Sequence, residues 1–214
     1  PMAKVILTLF ISADGVAEVD PAWHFPYFDE NMGRCVGEDF ATSDVLLFGR
    51  VTYDSFAGAW PEREAAGEVD APYAAQLGDT RKIVASRQQP ALTWRHSEQM
   101  DGELTDAVTA LKADPGVKGI LIYGSISVVQ QLLASGQVDE LRLMIHPVAA
   151  RQGRRLFDDG DVPYHLTLVS SEVFPTGVIR VIYAPTAAPV PAGYEDVKDL
   201  VPDLTLFSAQ YASV

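Results

Sequence analysis

The stretch Gly119-Ile120-Leu121-Ile122-Tyr123-Gly124-Ser125-Ile126-Ser127-Val128-Val129-Gln130-Gln131-Leu132-Leu133-Ala134 decides how the rest of the chain is read. Its first five residues are a short apolar run suited to a buried strand. Gly124-Ser125 then turns the chain, and Ile126–Ala134 continues as a helix until Ser135-Gly136 stops it. A strand, a glycine turn and a helix make up the repeating unit of an α/β sheet.

The same alternation extends outward in both directions. Lys4–Ser12 is almost continuously apolar and reads as a strand buried on both faces. Phe25, Phe28, Met32, Val36 and Phe40 recur at helical spacing, so an amphipathic helix is expected over 25–40. Residues 44–48 form a second buried strand ending at Gly49-Arg50, with a short helix over 51–57. The acidic, Ala- and Gly-rich stretch 62–71 reads as a surface excursion, 81–86 as a third strand and 92–96 as a weak fourth. A helix over 103–113 is stopped by Asp114-Pro115-Gly116. A strand over 139–146 follows Ile126–Ala134, and Pro175-Thr176-Gly177 joins strands 164–174 and 178–184 as a hairpin. The expected fold is α/β: a three-layer arrangement with a mostly parallel central sheet, an antiparallel C-terminal hairpin and flanking helices. Residues 1–184 would be its one domain. Residues 185–214 read as a Pro/Ala-rich linker and C-terminal tail, with 200–214 either loose or packed as an arm on the domain or a partner.

The totals restrict function. At 214 residues and 48% hydrophobic, the chain can bury a full core. A net charge of -13 repels phosphate backbones and anionic lipid, which argues against nucleic-acid and membrane-surface partners. A phosphorylated ligand would have to be held by a few local cations and backbone N–H groups. The single cysteine, Cys35, allows neither an intrachain disulfide nor a thiolate zinc site. Pro1 ahead of Met2 reads as an appended residue, and the apolar run after it as a strand, not a leader. A cytoplasmic location is the expectation.

Ligands of open α/β sheets collect outside the carboxyl ends of the parallel strands. Three such ends suit an anion. Gly49-Arg50-Val51-Thr52 offers a close backbone approach, a helix N-terminus and a cation. Taken alone, it serves equally well as an ordinary strand–helix turn. Ser86-Arg87 pairs a hydroxyl with a guanidinium, as a phosphate monoester would require, although a dipeptide arises easily by chance. Tyr123-Gly124-Ser125-Ile126-Ser127 presents small residues at a helix start. It is neither a Rossmann fingerprint nor a P-loop.

Gly49-Arg50-Val51-Thr52-Tyr53 resembles the Gly-Arg-x-Thr-aromatic motif of dihydrofolate reductases. Several further segments resemble the RibD C-terminal-domain branch of that superfamily. These are Ser12-Ala13-Asp14-Gly15-Val16, Ile122-Tyr123-Gly124-Ser125, Val138-Asp139-Glu140-Leu141, His146-Pro147-Val148 and Gly153-Arg154-Arg155-Leu156-Phe157. The resemblance implies an NADPH-dependent reductase acting on a flat heteroaromatic substrate: a pterin, a riboflavin-pathway pyrimidine or similar. It implies that Gly49, Arg50, Val51, Thr52, Tyr123, Gly124, Ser125, Ile126 and Ser127 hold the pyrophosphate. Ser86 and Arg87 would then face the 2′-phosphate, and Phe10, Asp14, Val16 and Ala17 would lie beside the nicotinamide. Trp23, Phe28, Tyr53, Phe56, Trp60 and Met144 are the implied substrate contacts, and a homodimer is implied as well.

Two departures bear on chemistry. The family carries a carboxylate on its first helix, but an ungapped count from Gly49 lands at Gly33, one turn from Asp29. Asp29 is the candidate proton donor; it and Glu30 also read as solvated acids favoured by the helix dipole. The loop Ala149-Ala150-Arg151-Gln152-Gly153 differs from the family's Leu-Gly-Gly-like sequence. His24, His96, His146 and His165 show no metal-ligand spacing, so no metal is expected. Ser55 and Ser125 lack a nucleophile-elbow context. Two further readings stand: a flavin reductase with FMN or FAD in the substrate half of the cleft, and a non-catalytic ligand-binding member of the fold.

Overall fold

A computed structural model describes residues 2–200. Eight strands form one sheet: β1 (Lys4–Ser12), β2 (Val45–Gly49), β3 (Arg81–Ala85), β4 (Ser97–Gln99), β5 (Gly119–Tyr123), β6 (Glu140–His146), β7 (Leu166–Val173) and β8 (Ile179–Pro185). Their order is β4-β3-β2-β5-β1-β6-β8-β7. Every pairing from β4 to β6 is parallel, and β8 runs antiparallel between β6 and β7. The helices are α1 (Pro21–His24), α2 (Glu30–Ala41), α3 (Arg50–Ala66), α4 (Ala71–Asp79), α5 (Leu104–Ala113), α6 (Ile126–Ala134) and α7 (Tyr194–Val197). The result is the expected α/β sheet with its antiparallel hairpin. Among the described residues, no helix is long and apolar enough to cross a membrane.

β1 shows why its residues run apolar without alternation. Val5, Leu7, Leu9 and Ile11 pack with Val108 of α5 and Val129, Leu132 and Leu133 of α6. On the opposite face, Ile6 joins Leu46, Phe48, Tyr53 and Leu77, and Phe10 packs on a cluster of Met32, Cys35 and Met144. Both faces are covered, so both residue sets must be apolar. A buried charge cluster ties α2 to this sheet: Asp39 accepts from Thr8 Oγ1 at 2.8 Å and Arg142 Nη1 at 3.0 Å, and from Arg180.

Four expected elements differ. The helix over 25–40 is two helices, because Phe25-Pro26-Tyr27 takes a 3-10 turn and Asp29 restarts the chain as the N-cap of α2. The short helix over 51–57 extends to Ala66 as α3, and its Pro61 is tolerated inside. The excursion over 62–71 is therefore largely helical: Ala, Glu and Arg favour helix without an apolar stripe, and Gly67 ends it at φ +68°. α4 was not expected at all. The weak strand over 92–96 is irregular, with Trp94 buried, and the edge strand β4 begins only after His96, which is left-handed at φ 57°. Residues 186–193 carry neither helix nor strand, Pro185 still belongs to β8, and 194–200 form α7 and a 3-10 turn; the tail from residue 201 onward lies outside the described residues.

Candidate active site

The carboxyl ends of β1, β2, β3 and β5 open into one cleft of about 1450 Å³. Its turn-built end is fixed by a single hydrogen bond. Gly49 is both the last residue of β2 and the N-cap of α3, and its N–H donates to Ser125 Oγ at 2.7 Å. A Cβ on Gly49 would lie 3.3 Å from that oxygen and 3.4 Å from Val128 Cγ2, a tight contact that the two turns would relieve only by moving apart by a few tenths of an ångström. Across the gap, Gly124 and Ser125 are both left-handed, at φ 65° and 58°. A left-handed non-glycine residue costs about 1–2 kcal/mol, which the bond to Gly49 helps to offset.

The electrostatic consequence lies in what Ser125 does not do. As N-cap of α6, its hydroxyl makes no cap bond to its own helix, because it faces Gly49. Gly49 has no side chain with which to cap α3. Two helix N-termini with uncapped N–H groups thus meet at one place, which favours an anion.

The third strand end is braced locally. Ser86 Oγ donates to the Gln88 carbonyl at 2.8 Å and accepts from its N–H at 3.2 Å, while Gln99 Nε2 donates to the carbonyls of Ser86 and Gln88. The exposed Arg87 has no ion-pair partner among the described residues, whereas Arg50 pairs with Asp54 at 3.2 Å.

The other end of the cleft is aromatic. Phe56 stacks on Tyr123 at 5.9 Å, and Tyr123 Oη lies 3.2 Å from Tyr73 Oη. Burial pushes the Tyr123 phenol well above its ordinary pKa. Phe10 lies 4.2 Å from the His24 ring, and His24 Nδ1 sits 3.1 Å from His146 Nε2. Burial, reinforced by repulsion from His146, pushes His24 down to about 4. Burial also lowers His146, against the carbonyls of Met144 and Ile11. Both rings are therefore neutral at pH 7.

Of the residues singled out in the sequence, Phe10, Ala17, Gly49, Arg50, Val51, Thr52, Phe56, Ser86, Arg87 and all of 123–127 line this cleft. The others lie elsewhere, for identifiable reasons. Tyr53 is fully buried in the core beneath α3, where it packs on Phe48 and its hydroxyl accepts from the Trp94 main-chain N–H at 3.1 Å. Trp60 packs edge-on against Tyr73 under the Arg63 guanidinium. Met144 is buried among Met32, Cys35, Phe174 and Val178. Trp23 packs on His146, and Phe28 lies edge-on to His24 but 47% exposed, neither lining the cleft.

Asp14 and Val16 stand behind the wall. The Asp14 carboxylate accepts from Ser12 Oγ and from the N–H groups of Arg151 and Ala150, which hold it at about 2. Val16 is buried and bridges to Arg155. Asp29 accepts from the Met32 N–H at 2.9 Å and from Asn31, and these bonds lower its pKa. A proton donor needs the opposite shift.

Of Arg151, Arg154 and Arg155, the cations that a ribosyl-phosphate would need, Arg154 lines the cleft; the sequence reading missed His24 and Glu18, which also line it, and the pairing of His24 with a residue 122 positions away. A histidine closing the apolar strand β6 at its carboxyl end was the available signal.

The chain matches the RibD C-terminal domain model over residues 3–180. It is 30% identical over 186 residues to an uncharacterised Bacillus subtilis protein, YyaP, covering 84% of this chain and 94% of that one. Among solved structures, it superposes on a candidate riboflavin biosynthesis protein of Shewanella sp. PV-4 with TM-score 0.66 at 18% identity, covering 86% of this chain and 99% of that one. A pyrimidine reductase-like protein of Corynebacterium diphtheriae gives TM-score 0.60 at 18% identity, covering 87% and 93%. The fold is thus shared well beyond the range of close sequence similarity, and the family match runs through the first seven strands, β1 to β7, and into the start of β8. The chain belongs to the RibD C-terminal domain family, within the dihydrofolate-reductase-like superfamily.

Proposed function

We propose that the protein is an NADPH-dependent reductase that transfers hydride to a flat heteroaromatic substrate of the riboflavin-pathway pyrimidine or pterin type. One observation carries this reading: two uncapped helix N-termini, locked together by the Gly49 N–H to Ser125 Oγ bond, open on a cleft at the strand ends. In a chain of net charge -13, this is how an anionic dinucleotide can be held without a basic surface. The residues present fit the cofactor. Gly49–Thr52 and Gly124–Ser127 would hold its pyrophosphate from two sides, Ser86 and Arg87 its 2′-phosphate, and Phe10 and Ala17 would lie beside the nicotinamide.

NADPH supplies the hydride when bound. The protein's share is to align a ring against Phe10, Phe56 and Tyr123 and to exclude water there. The names carried by the relatives, riboflavin biosynthesis and pyrimidine reductase-like, point to the same substrate class. We infer a homodimer as well. The eight-residue edge strand β7 leaves Leu168, Val169 and Val173 exposed, and an uncovered strand edge of that length invites pairing.

The direct test is titration of the protein with NADPH and NADH, followed by nicotinamide fluorescence. Arg87→Ala is expected to weaken NADPH about tenfold to a hundredfold, the worth of a charge-assisted hydrogen bond, and to leave NADH unchanged. Equal losses for both would remove Arg87 from the 2′-phosphate. Failure of NADPH to bind at millimolar concentration would end the reductase reading.

A further inference from the structure

His24 and His146 are a buried histidine pair that dinucleotide binding leaves unused, and their hydrogen bonds fix which nitrogens carry protons. His146 Nδ1 lies 3.0 Å from the Met144 carbonyl, which can only accept, so Nδ1 carries the hydrogen. In a neutral ring His146 Nε2 is then an acceptor, and His24 Nδ1, 3.1 Å away, must be the donor. That leaves His24 Nε2 as a bare lone pair. It has no partner among the described residues and is not one of the sealed, unpaired polar atoms. His24 is only 5% exposed and lines the cleft, so the lone pair opens there.

The surroundings leave that nitrogen little competition. Phe10, Phe25 and Phe28 pack on the His24 ring, and Trp23 and Tyr27 on His146. Of the charged residues of the cleft just after β1 and near Val16, the Glu18 carboxylate accepts the Arg154 main-chain N–H at 2.8 Å, and the Arg154 side chain makes no hydrogen bond to either histidine. A hydrogen bond formed among apolar rings is poorly replaced by water, and a ligand that cannot donate leaves the acceptor unpaired.

We propose that His24 Nε2 is the substrate-selecting acceptor of this cleft, taking a hydrogen bond from a ring N–H of the heteroaromatic substrate, with His146 as the positioning residue that holds it in the accepting tautomer. The proposal rests on the reductase reading, in which Phe10 lies beside the nicotinamide and His24 touches Phe10. It predicts discrimination against N-alkylated rings and against rings that turn a carbonyl to this point.

The test uses the full chain saturated with NADPH and two probes: lumazine, which has ring N–H donors, and its N,N-dimethyl analogue, which has none. Lumazine is expected to bind at least about tenfold more tightly, the value of one net hydrogen bond. His24→Phe should bring the two affinities together, and His24→Gln, whose Oε1 can accept, should restore part of the difference. His146→Phe should shrink the preference while leaving NADPH affinity in place, which a purely structural histidine would not do. Equal affinities in the unsubstituted protein, including no detectable binding of either probe, or a preference that survives His24→Phe, overturns the proposal. NADPH titration of the same samples keeps the two readings apart. Absent NADPH binding defeats the reductase, whereas intact NADPH binding with no probe preference defeats only the role of His24.

Discussion

The two ends of the cleft are made of different material. At the turn-built end, the wall is main chain: Gly49, the left-handed pair Gly124-Ser125 and the first turns of α3 and α6, joined by one hydrogen bond. At the aromatic end, the wall is side chain: Phe10, His24, Phe56 and Tyr123, each aimed by the packing of a different element. A main-chain wall has few solutions, since parallel strands put their carboxyl ends at one edge whatever the helices carry. A side-chain wall has many, because one rotation of a helix exchanges the residues it presents. The first end should therefore fail abruptly when its backbone is disturbed, and the second should change its selectivity by degrees.

Gly49→Val tests the abrupt failure and carries the largest expected effect. Even a Cβ at Gly49 stands 3.3 Å from Ser125 Oγ, and the valine branches would push the two turns apart. NADPH affinity should fall by about a hundredfold or more, in line with overpacking a tight contact. Nicotinamide fluorescence reads the loss, and thermal melting checks that the fold persists. Near-normal affinity would show that the two turns need not touch.

The histidine pair gives the aromatic end a pH dependence that the turn end lacks. His24 titrates at about 4 in the folded chain, against 6.5 for an ordinary histidine. Between those values the unfolded chain binds more protons, so stability rises with pH. The contribution is fully present above pH 6.5 and is lost as pH falls toward 4, by up to about 3 kcal/mol. Urea unfolding at pH 7 and pH 4.5 measures it. Replacing both histidines by phenylalanine should flatten that part of the profile, and an unchanged slope would mean that the pair is not buried neutral.

This contrast also governs what could be read from the sequence. Gly49, Gly124 and Ser86-Arg87 were legible because a strand followed by a glycine, a small residue or a cation at its carboxyl end needs no knowledge of tertiary packing. Tyr53, Trp60 and Met144 were not, because an aromatic or a methionine next to a site motif does not state which face it takes. Tyr53 follows Thr52 directly, yet Thr52 lines the cleft and Tyr53 is buried in the core. Tyr53→Phe sharpens the point. It would leave the Trp94 N–H without its acceptor and cost about 1–2 kcal/mol in thermal or urea unfolding, with NADPH and lumazine affinities unchanged. A change in ligand affinity would return Tyr53 to the cleft wall.

Asp29 carries the smallest effect and the sharpest division between the ends. Its position one turn from where the family carries a first-helix carboxylate suggested a proton donor, but its carboxylate is engaged by the Met32 N–H and by Asn31, which favour the ionised form. A cap of this kind is worth about 1 kcal/mol, so Asp29→Ala should lower stability by that amount and Asp29→Ser should restore most of it. Serine can accept the same bond from the N–H but cannot serve as a carboxylic acid. If Asp29→Ser keeps stability, NADPH affinity and the preference for lumazine over its dimethyl analogue, the residue belongs to the scaffold of α2. If stability is kept while NADPH oxidation with a heteroaromatic acceptor falls tenfold or more, Asp29 moves into the chemistry. The proton delivered with the hydride would then come from the start of α2, and His24 would be left to choose the ring that receives it.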